Sequence, residues 1–458
     1  MNRTCVFLLV CLLGFPAFTF GQNKTAAKKP LDHASYDEWN SLTATQLSDD
    51  GRWLWFASRS GKGEYTLTLR TVDGGKKHNI QRVSTAKFSA DSKHAFFLRP
   101  PSKEAVKKAK AAKKSVYEMP KNTLEILNIT TDKFTKLPRV ANYQLPKKAG
   151  GWLAYLVYPK DYSAKNKYQD LHLRNLESGA ETVYHEVTSY NFSEDGKHLA
   201  FITSPKSPKE PGVYLVETAN RKLQELTRGK GKYQTLTFSD QGDQLAFFTT
   251  RDDAKSKSPA WSVYLWKAGR KGARSVVTPK TNGLPKGWEI TTTRSLNFSD
   301  SGKRIFLGTR PKPQPTKKSS SKVNVDVWHW KDPYLQPMQI VLARVQKIIS
   351  YSAVFEEKNN RLLQLATPEI PSVSIPKGGD ADIGIAVSNV PYQPLISWDY
   401  PSYNDIYLFN LKDNKAKKVL SKLQGSASLS PGNKYLYWWD AARKEWRARS
   451  IASGKSSA

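Results

Sequence analysis

Hydrophobic and polar residues alternate over short stretches of this chain, and each stretch ends at a tight polar turn. In Phe192–Ile202 a Ser-Glu-Asp-Gly turn follows Phe192, and a new apolar stretch begins at Leu199. Asp195-Gly196 suits a tight turn, because Gly reaches positive φ without steric cost and Asp can bond its own backbone. The pattern therefore predicts a strand, a turn and a second strand.

The same unit recurs along the whole chain. Further good copies are Leu47–Phe56, Phe88–Phe97, Phe238–Phe248, Phe298–Leu307 and Leu429–Trp438, and weaker ones are Ala149–Tyr155 and Phe355–Leu363. Ser48 and Ser89 lie 41 residues apart, and Ser193 and Ser239 lie 46 apart. This period is that of one propeller blade. We therefore predict an all-β fold, a β-propeller with seven or eight four-stranded antiparallel blades, as a complete ring or as an incomplete or open one.

The copy around Ser239 shows how a blade is expected to run. Its strands are predicted at 235–238, 244–248, 261–267 and 274–278, with a loop at 251–260 between the second and third. Each such sheet has two apolar faces, which only stacking against neighbouring blades can bury.

The first residues resemble a targeting segment. Arg3 precedes a short apolar run from Val6 to Leu13, and Thr19-Phe20-Gly21 is suited to cleavage, so residues 1–21 are predicted to be a signal peptide. The run is short for a membrane anchor and Pro16 follows it. Residues 22–40 are then a polar leader and 41–458 the propeller. The expected location is exported, in a periplasm or secreted, with no transmembrane segment after cleavage.

Both cysteines, Cys5 and Cys11, lie in the predicted signal peptide. The mature chain would therefore form no disulfide and no thiolate metal site.

The chain is strongly basic, with 72 Lys or Arg against 40 Asp or Glu and a net charge of +32. Much of this charge lies in four segments that follow the second strand of a blade: 99–121, 204–211, 251–260 and 309–322. Apart from Tyr117 they contain no aromatic residue that could stack on bases, so solvated loops are favoured over an anionic partner, and no nucleic-acid partner is expected. Equivalent loops emerge on the same side of a propeller, so one face is predicted to be the more positive.

The sequence contains none of the common motifs for catalysis, cofactor binding or metal binding. The sequence has no Gly-x-Ser-x-Gly elbow, no phosphate-binding Gly-rich loop and no His-Glu-x-x-His pair. The seven histidines have no ligand spacing: His33, His78, His94, His172, His185, His198 and His329. Turns such as Asp49-Asp50 lack the spacing of a calcium loop. The expected catalytic, cofactor-binding and metal residues are therefore none.

Four tryptophans could form a binding surface: Trp328, Trp330, Trp438 and Trp439. Aromatic residues at strand positions are more often part of a core, so burial is the expectation for them.

Three stretches resemble the exported prolyl oligopeptidase-type serine peptidases of bacteria: Lys29–Trp39, Lys322–Met338 and Leu423–Tyr437. The likeness covers nearly the whole mature chain. It implies a propeller that lies over an α/β-hydrolase domain and admits short peptides to a Ser-Asp-His triad. No triad residue can be assigned in residues 1–458, so the expectation is a fragment from which the hydrolase domain is missing.

The resemblance implies a non-catalytic propeller that filters peptide access to that hydrolase domain, with no enzymatic activity of its own. The alternative is a stand-alone periplasmic propeller that binds a protein partner. A third hypothesis, binding of an anionic polymer, predicts salt-sensitive retention on heparin.

Overall fold

Eight four-stranded antiparallel units follow one another along the chain, as expected for the blades of a propeller. The computed structural model describes residues 31–163, 168–204, 210–313, 327–399 and 402–458. The predicted signal peptide, 1–21, lies outside these residues. Among the described residues no helix is long and apolar enough to cross a bilayer.

The strand bounds show the repeat directly. Blades 1 to 4 contain β1 Asn40–Leu47, β2 Trp53–Ser60, β3 Tyr65–Thr71, β4 Lys77–Gln81, β5 Lys87–Phe88, β6 His94–Arg99, β7 Asn122–Asn128, β8 Lys133–Gln144, β9 Trp152–Val157, β10 Gln169–Asn175, β11 Glu181–Phe192, β12 His198–Thr203, β13 Gly212–Glu217 and β14 Lys222–Arg228. Blades 5 to 8 contain β15 Tyr233–Phe238, β16 Gln244–Thr249, β17 Ser262–Lys267, β18 Arg274–Val277, β19 Trp288–Thr291, β20 Asn297–Phe298, β21 Arg304–Pro311, β22 Tyr351–Glu356, β23 Arg361–Gln364, β24 Ser372–Ser374, β25 Ile383–Ser388, β26 Tyr403–Asn410, β27 Lys415–Gln424, β28 Ala427–Leu429, β29 Tyr435–Asp440, β30 Glu445–Ser450 and β31 Ser456–Ser457.

In the part of the chain that the structure describes, helical structure is confined to short segments between or beside the strands. The α-helices are α1 Lys103–Ala111 and α2 Gln336–Gln346, and the 3-10 helices are His33–Glu38, Arg251–Asp253, Lys377–Gly379 and Val390–Leu395. α1 lies in the Lys-rich segment between the second and third strands of blade 2, where the Ser102 hydroxyl caps it by accepting a hydrogen bond from Ala105 N.

Blades 2, 3 and 4 are joined into a single ten-stranded sheet. The long strand β8 is the outer strand of blade 2 and then the inner strand of blade 3, and β11 links blades 3 and 4 in the same way. Each bends at a residue with positive φ, Arg139 at 59° and Glu186 at 59°. The bend lets one strand leave one blade and enter the next.

Seven buried apolar clusters hold the blades together, one at each interface between consecutive blades. Among the described residues no such cluster joins blade 8 to blade 1. The outer face of blade 8 instead exposes Tyr435 (50%) and Trp446 (62%), and blade 1 exposes Leu42 (65%) and Leu47 (52%). The two end blades therefore leave apolar faces uncovered.

The strand order confirms the predicted fold class, and the described residues form eight blades. The weak copy at Phe355–Leu363 was wrongly interpreted as the start of a blade, because it is the turn between β22 and β23, the third and fourth strands of blade 6. Blade 7 begins at β24, whose following segment contains a 3-10 helix at Lys377–Gly379 in place of the usual turn. That blade therefore carries no recognisable copy of the repeat.

Candidate functional site

In five blades the repeated turn is closed by a buried serine at the end of the inner strand: Ser48, Ser89, Ser193, Ser239 and Ser299. Ser193 is fully buried. Its hydroxyl donates to Asp195 Oδ1 at 2.7 Å and accepts from His198 N at 3.0 Å. Ser48 and Ser89 make the same pair of bonds with Asp50 and Asp91 and with the strand that follows. The turn residues recur because this network fixes the end of each inner strand.

In several blades a polar residue directly precedes the apolar residue that opens the repeated unit, such as Phe192 or Phe238. Its side chain is hydrogen-bonded to the neighbouring blade. Asn191 Nδ2 donates to the backbone carbonyl of Leu236 at 2.9 Å, from blade 4 to blade 5. Thr237 Oγ1 donates to the carbonyl of Leu296 at 3.2 Å, from blade 5 to blade 6. Gln144 makes the equivalent bond, Nε2 to the carbonyl of Tyr190 at 3.1 Å. These bonds satisfy carbonyls that have no ladder partner on the inner side.

These inner strands enclose a common cavity of about 490 Å³. Its lining comes from five successive blades, 2 to 6, and includes Lys87, Gln144, Asn191, Thr237 and Asn297. Because the inner strands of a propeller surround its axis, this cavity is part of the central channel. Its walls combine an amide, a hydroxyl or a lysine from each of these blades with the apolar side chains of Leu145, Phe192, Phe238 and Phe298.

Charged groups stand at one end of the channel. Glu194 accepts from Lys147 Nζ at 2.6 Å and pairs with Lys148 Nζ at 2.7 Å. The hydrogen bonds from these two lysines lower the pKa of Glu194, and the bond to Glu194 raises the pKa of Lys148. The channel entrance therefore carries fixed charges of both signs at neutral pH.

The described residues contain no group of three or more His, Cys, Asp or Glu side chains that could hold a metal ion. His94 and His198, which occupy equivalent positions after their turns, are the first residues of β6 and β12. His94 is buried, and this burial lowers its pKa. Neither histidine forms a catalytic pair with a nucleophile in the described hydrogen bonds.

The basic segments lie where they were predicted, between the second and third strands of blades 2, 4, 5 and 6, as far as they are described. Residues 205–209 and 314–322 of them fall outside the described chain. The difference in charge between the two faces remains a prediction.

Two insertions on this same face form a second candidate site. We define the blade-6 insert as 327–350, between β21 and β22, and the blade-7 insert as 389–399, between β25 and β26. A cleft of about 320 Å³ lies between them, lined by Trp328, Trp330, Tyr334 and Trp398 together with prolines of both inserts.

The expectation of buried tryptophans was wrong for the blade-6 insert. Trp328 is 67% exposed and Trp330 is 83% exposed, because they lie in an insert and not on a blade strand. Trp438 is buried in the interface between blades 7 and 8, whereas Trp439 is 41% exposed on the opposite face of the same strand. Sequence reasoning missed Trp398, which is 73% exposed. No repeat or motif marks it, and only its position outside the strands could have done so.

The sequence matches no family model and no curated protein. Solved structures with a similar fold include a eukaryotic initiation factor, at 12% identity and a TM-score of 0.45, over 92% of this chain and 87% of that one. The β-propeller domain of the Trilobed protease from Pyrococcus furiosus, which has an open velcro topology, is similar at 9% identity and a TM-score of 0.35, over 84% of this chain and 99% of that one. A prolyl endopeptidase is similar at 12% identity and a TM-score of 0.40, over 91% of this chain.

The present chain corresponds to 56% of the length of that prolyl endopeptidase. Peptidases, one of them represented by its propeller domain, are thus among the structural neighbours. At these identities the likeness carries no conclusion about activity, and the propeller assignment depends on the strand order and blade packing described above.

Proposed function

We propose that this chain is the non-catalytic propeller of a prolyl oligopeptidase-like serine peptidase, and that it filters peptides on their way to a hydrolase domain. The observation that carries the proposal is the cavity enclosed by the inner strands of five blades. A cavity of about 490 Å³ is within the range that accommodates small ligands, and it is far too small for a folded protein. The resemblance of residues 29–39, 322–338 and 423–437 to that peptidase family supports the same assignment.

Export is part of the proposal. It is supported by residues 1–21, whose basic start, apolar run and small-residue end are typical of a signal peptide. Mass spectrometry of the N-terminus of protein recovered from the periplasm would locate the cleavage. Recovery of the uncleaved chain in the cytoplasm would contradict export.

Absence of catalysis is tested on the isolated chain. With chromogenic dipeptide substrates we expect no turnover above the blank. Robust turnover that survives purification to homogeneity would overturn the assignment as a non-catalytic propeller.

Filtering is tested in a protein that contains both the propeller and a hydrolase domain. Asn297 lines the channel and is exposed there. Asn297→Trp should lower kcat/KM for peptides of about eight residues more than for a dipeptide substrate, because it narrows the route for longer chains. Asn220→Trp, in an exposed turn of blade 4, is the matched control. Equal effects on both substrates would contradict a filtering role.

A stand-alone propeller that binds a protein partner is the second candidate. The observation that favours it is the exposed apolar side of α2, where Ile340 is 61% exposed and Val341 is 75% exposed. The coding DNA beyond codon 458 distinguishes the two candidates. A continuing frame that encodes Gly-x-Ser-x-Gly supports the peptidase, and a stop codon supports the binding module.

A further inference from the structure

We propose that the tryptophan-lined cleft between the blade-6 and blade-7 inserts is a docking site for an acidic, proline-rich peptide segment. This site lies on the face of the second-to-third strand loops and does not depend on a hydrolase domain being present.

The cleft presents an unusual amount of uncovered aromatic surface. Trp328, Trp330 and Trp398 are 67%, 83% and 73% exposed, whereas Trp53, Trp55 and Trp266 in the blade interfaces are at most 7% exposed. Contiguous exposed apolar surface of this kind marks interaction sites in soluble proteins. Tryptophan is also the residue type most enriched at binding hot spots.

Side-chain hydrogen bonds hold both inserts in place, within the insert for blade 6 and to strand β26 for blade 7. In the blade-6 insert, Gln339 Nε2 donates to the carbonyl of Tyr334 at 2.8 Å and to Asp332 Oδ2 at 3.2 Å. In the blade-7 insert, the Tyr392 hydroxyl donates to the buried Asp405 at 2.6 Å. A preformed site avoids the entropic cost of ordering the walls when a ligand binds.

The chemistry of the lining favours a polyproline II segment. Such segments dock in grooves lined by aromatic residues and arrive already extended, so that little conformational entropy is lost. Pro333 and Pro394 add flat, rigid surface beside the rings. Among the polar residues of the lining, Asp332 already accepts hydrogen bonds from His329 N and Gln339, and His329 Nδ1 accepts one from Lys331 N. Gln336 and Ser397 also line the cleft, beside the larger surface of aromatic rings and prolines.

The charge of the inserts selects an acidic partner. Lys331, whose Nζ lies 5.0 Å from the centre of the Trp330 ring, stands at the cleft. Neither it nor Arg344 or Lys347 makes an ion pair with another described residue. The two acids of the inserts, Asp332 in the cleft wall and Asp399, accept hydrogen bonds only from neutral donors and keep their charge. The three basic side chains outnumber them, which leaves the inserts with a net charge of +1. The whole chain carries +32, which adds long-range attraction for an anionic segment.

The test uses the full chain and synthetic peptides. The first probe has a run of prolines between pairs of aspartates, the second replaces the prolines by glycine, and the third replaces the aspartates by serine. Titration calorimetry and tryptophan fluorescence at low salt should show binding of the first peptide with a Kd of the order of 10–100 μM. The glycine peptide should bind at least about tenfold more weakly, because it lacks the preformed helix.

Variants localise the binding. Trp330→Ala and Trp398→Ala should each weaken binding of the acidic proline peptide by about tenfold or more, as expected for aromatic anchors. Trp446→Ala, an exposed tryptophan on blade 8, is the matched control and should leave the affinity unchanged. Lys331→Glu should reduce affinity for the aspartate-flanked peptide and not for the serine-flanked one. Far-UV circular dichroism verifies that each variant is folded, which is expected because the replaced side chains are exposed.

Several outcomes would overturn the proposal. They are absence of binding at about 1 mM peptide, equal affinity for the proline and glycine peptides, and affinity that survives both tryptophan replacements. Binding of a β-linked glucose hexamer in preference to the peptides would assign the cleft to a carbohydrate instead.

Discussion

A single serine hydroxyl does much of the work of making each turn. It replaces water as the partner of a backbone N–H at the start of the second strand and of a nearby aspartate, which is Asp195 for Ser193 and Asp243 for Ser239. Because both partners are supplied locally, the serine can be fully buried, as Ser193 and Ser239 are. This explains why an aspartate follows the serine, two residues on in blades 1, 2 and 4 and four residues on in blade 5, while the residues between them vary.

Replacing this serine should destabilise the blade. Ser193→Ala leaves His198 N and Asp195 without their shared partner, so we expect a loss of about 1–3 kcal/mol in the free energy of unfolding. Urea denaturation followed by circular dichroism measures it. Ser258→Ala, in an exposed loop of blade 5, is the control and should change the value by less than about 0.5 kcal/mol. A Ser193 effect as small as the control would contradict the role of the hydroxyl.

Asp405 gives the fold a pH-dependent contribution. It is 1% exposed and accepts from Tyr392 and from Lys418 Nζ, the latter at 2.6 Å. Burial alone would raise the pKa of Asp405, but the hydrogen bonds from Lys418 and Tyr392 outweigh it, and the pKa is lowered overall. A lowered carboxyl pKa contributes stability above the ordinary value of about 4, and this contribution is lost as the pH falls through the native pKa.

Asp405→Asn should therefore lower the free energy of unfolding by about 2–3 kcal/mol at neutral pH, the range for hydrogen bonds to a charged group. The difference from the wild type should shrink as the pH falls below about 4. Denaturation curves across this pH range measure it, with Asp413→Asn in the exposed turn of the same hairpin as the control. If the difference in the free energy of unfolding between the wild type and Asp405→Asn is constant with pH, the charge of the Asp405 carboxylate does not contribute to stability.

At the scale of elements, the sequence predicted the regular blades closely and the irregular parts poorly. For blade 5 the predicted inner strand 235–238 and second strand 244–248 lie within β15 and β16. This succeeded because alternation and turn chemistry are both local.

Blade 7 was missed because its first turn is replaced by the segment around Lys377–Gly379. This segment is stabilised by contacts with blade 6, such as the hydrogen bond from Asp300 N to the carbonyl of Gly378. The cleft was missed because it brings together Trp330 and Trp398, which are distant in sequence.

The two faces of the last blade should respond differently to substitution. Trp438 and Trp439 are neighbours in β29, the first 5% exposed against blade 7 and the second 41% exposed on the outer face. Trp438→Ala should cost about 3–5 kcal/mol, as expected for removing a buried tryptophan side chain. Trp439→Ala should cost about 1 kcal/mol or less, because its face has no neighbouring blade.

Thermal and urea unfolding of the two variants provide the comparison. Since the residues are identical in type and adjacent in sequence, each is the control for the other. Equal losses would mean that the outer face of blade 8 is covered in solution, by blade 1 or by another chain.

At the scale of the whole molecule, the position of the basic loops predicts an asymmetric surface. Replacing lysines of the α1 segment by glutamine should lower the salt concentration at which the protein elutes from heparin, because exposed charges on one face act together and are screened by salt. The lysines to replace are Lys107, Lys108, Lys110, Lys113 and Lys114, and all are exposed.

The matched control removes the same number of exposed lysines from turns on the opposite face. These are Lys93, Lys303, Lys358, Lys412 and Lys434. Replacing these five lysines by glutamine should lower the salt concentration of elution from heparin much less than replacing the α1 lysines. Equal shifts from both sets would show that the charge is spread evenly and that the predicted positive face does not exist.

The two shared strands also determine how the chain comes apart under load. A force applied at the termini acts on end blades that are each held by one apolar interface, so these should peel away singly. Blades 2, 3 and 4 cannot be peeled in this way, because β8 and β11 belong to two blades each, and extracting one blade tears the ladder of the next. Single-molecule pulling should therefore record small early steps and one large late rupture. Blades 2, 3 and 4 are therefore expected to be the part of the molecule most resistant to mechanical unfolding, and the end blades are expected to unfold without disrupting them.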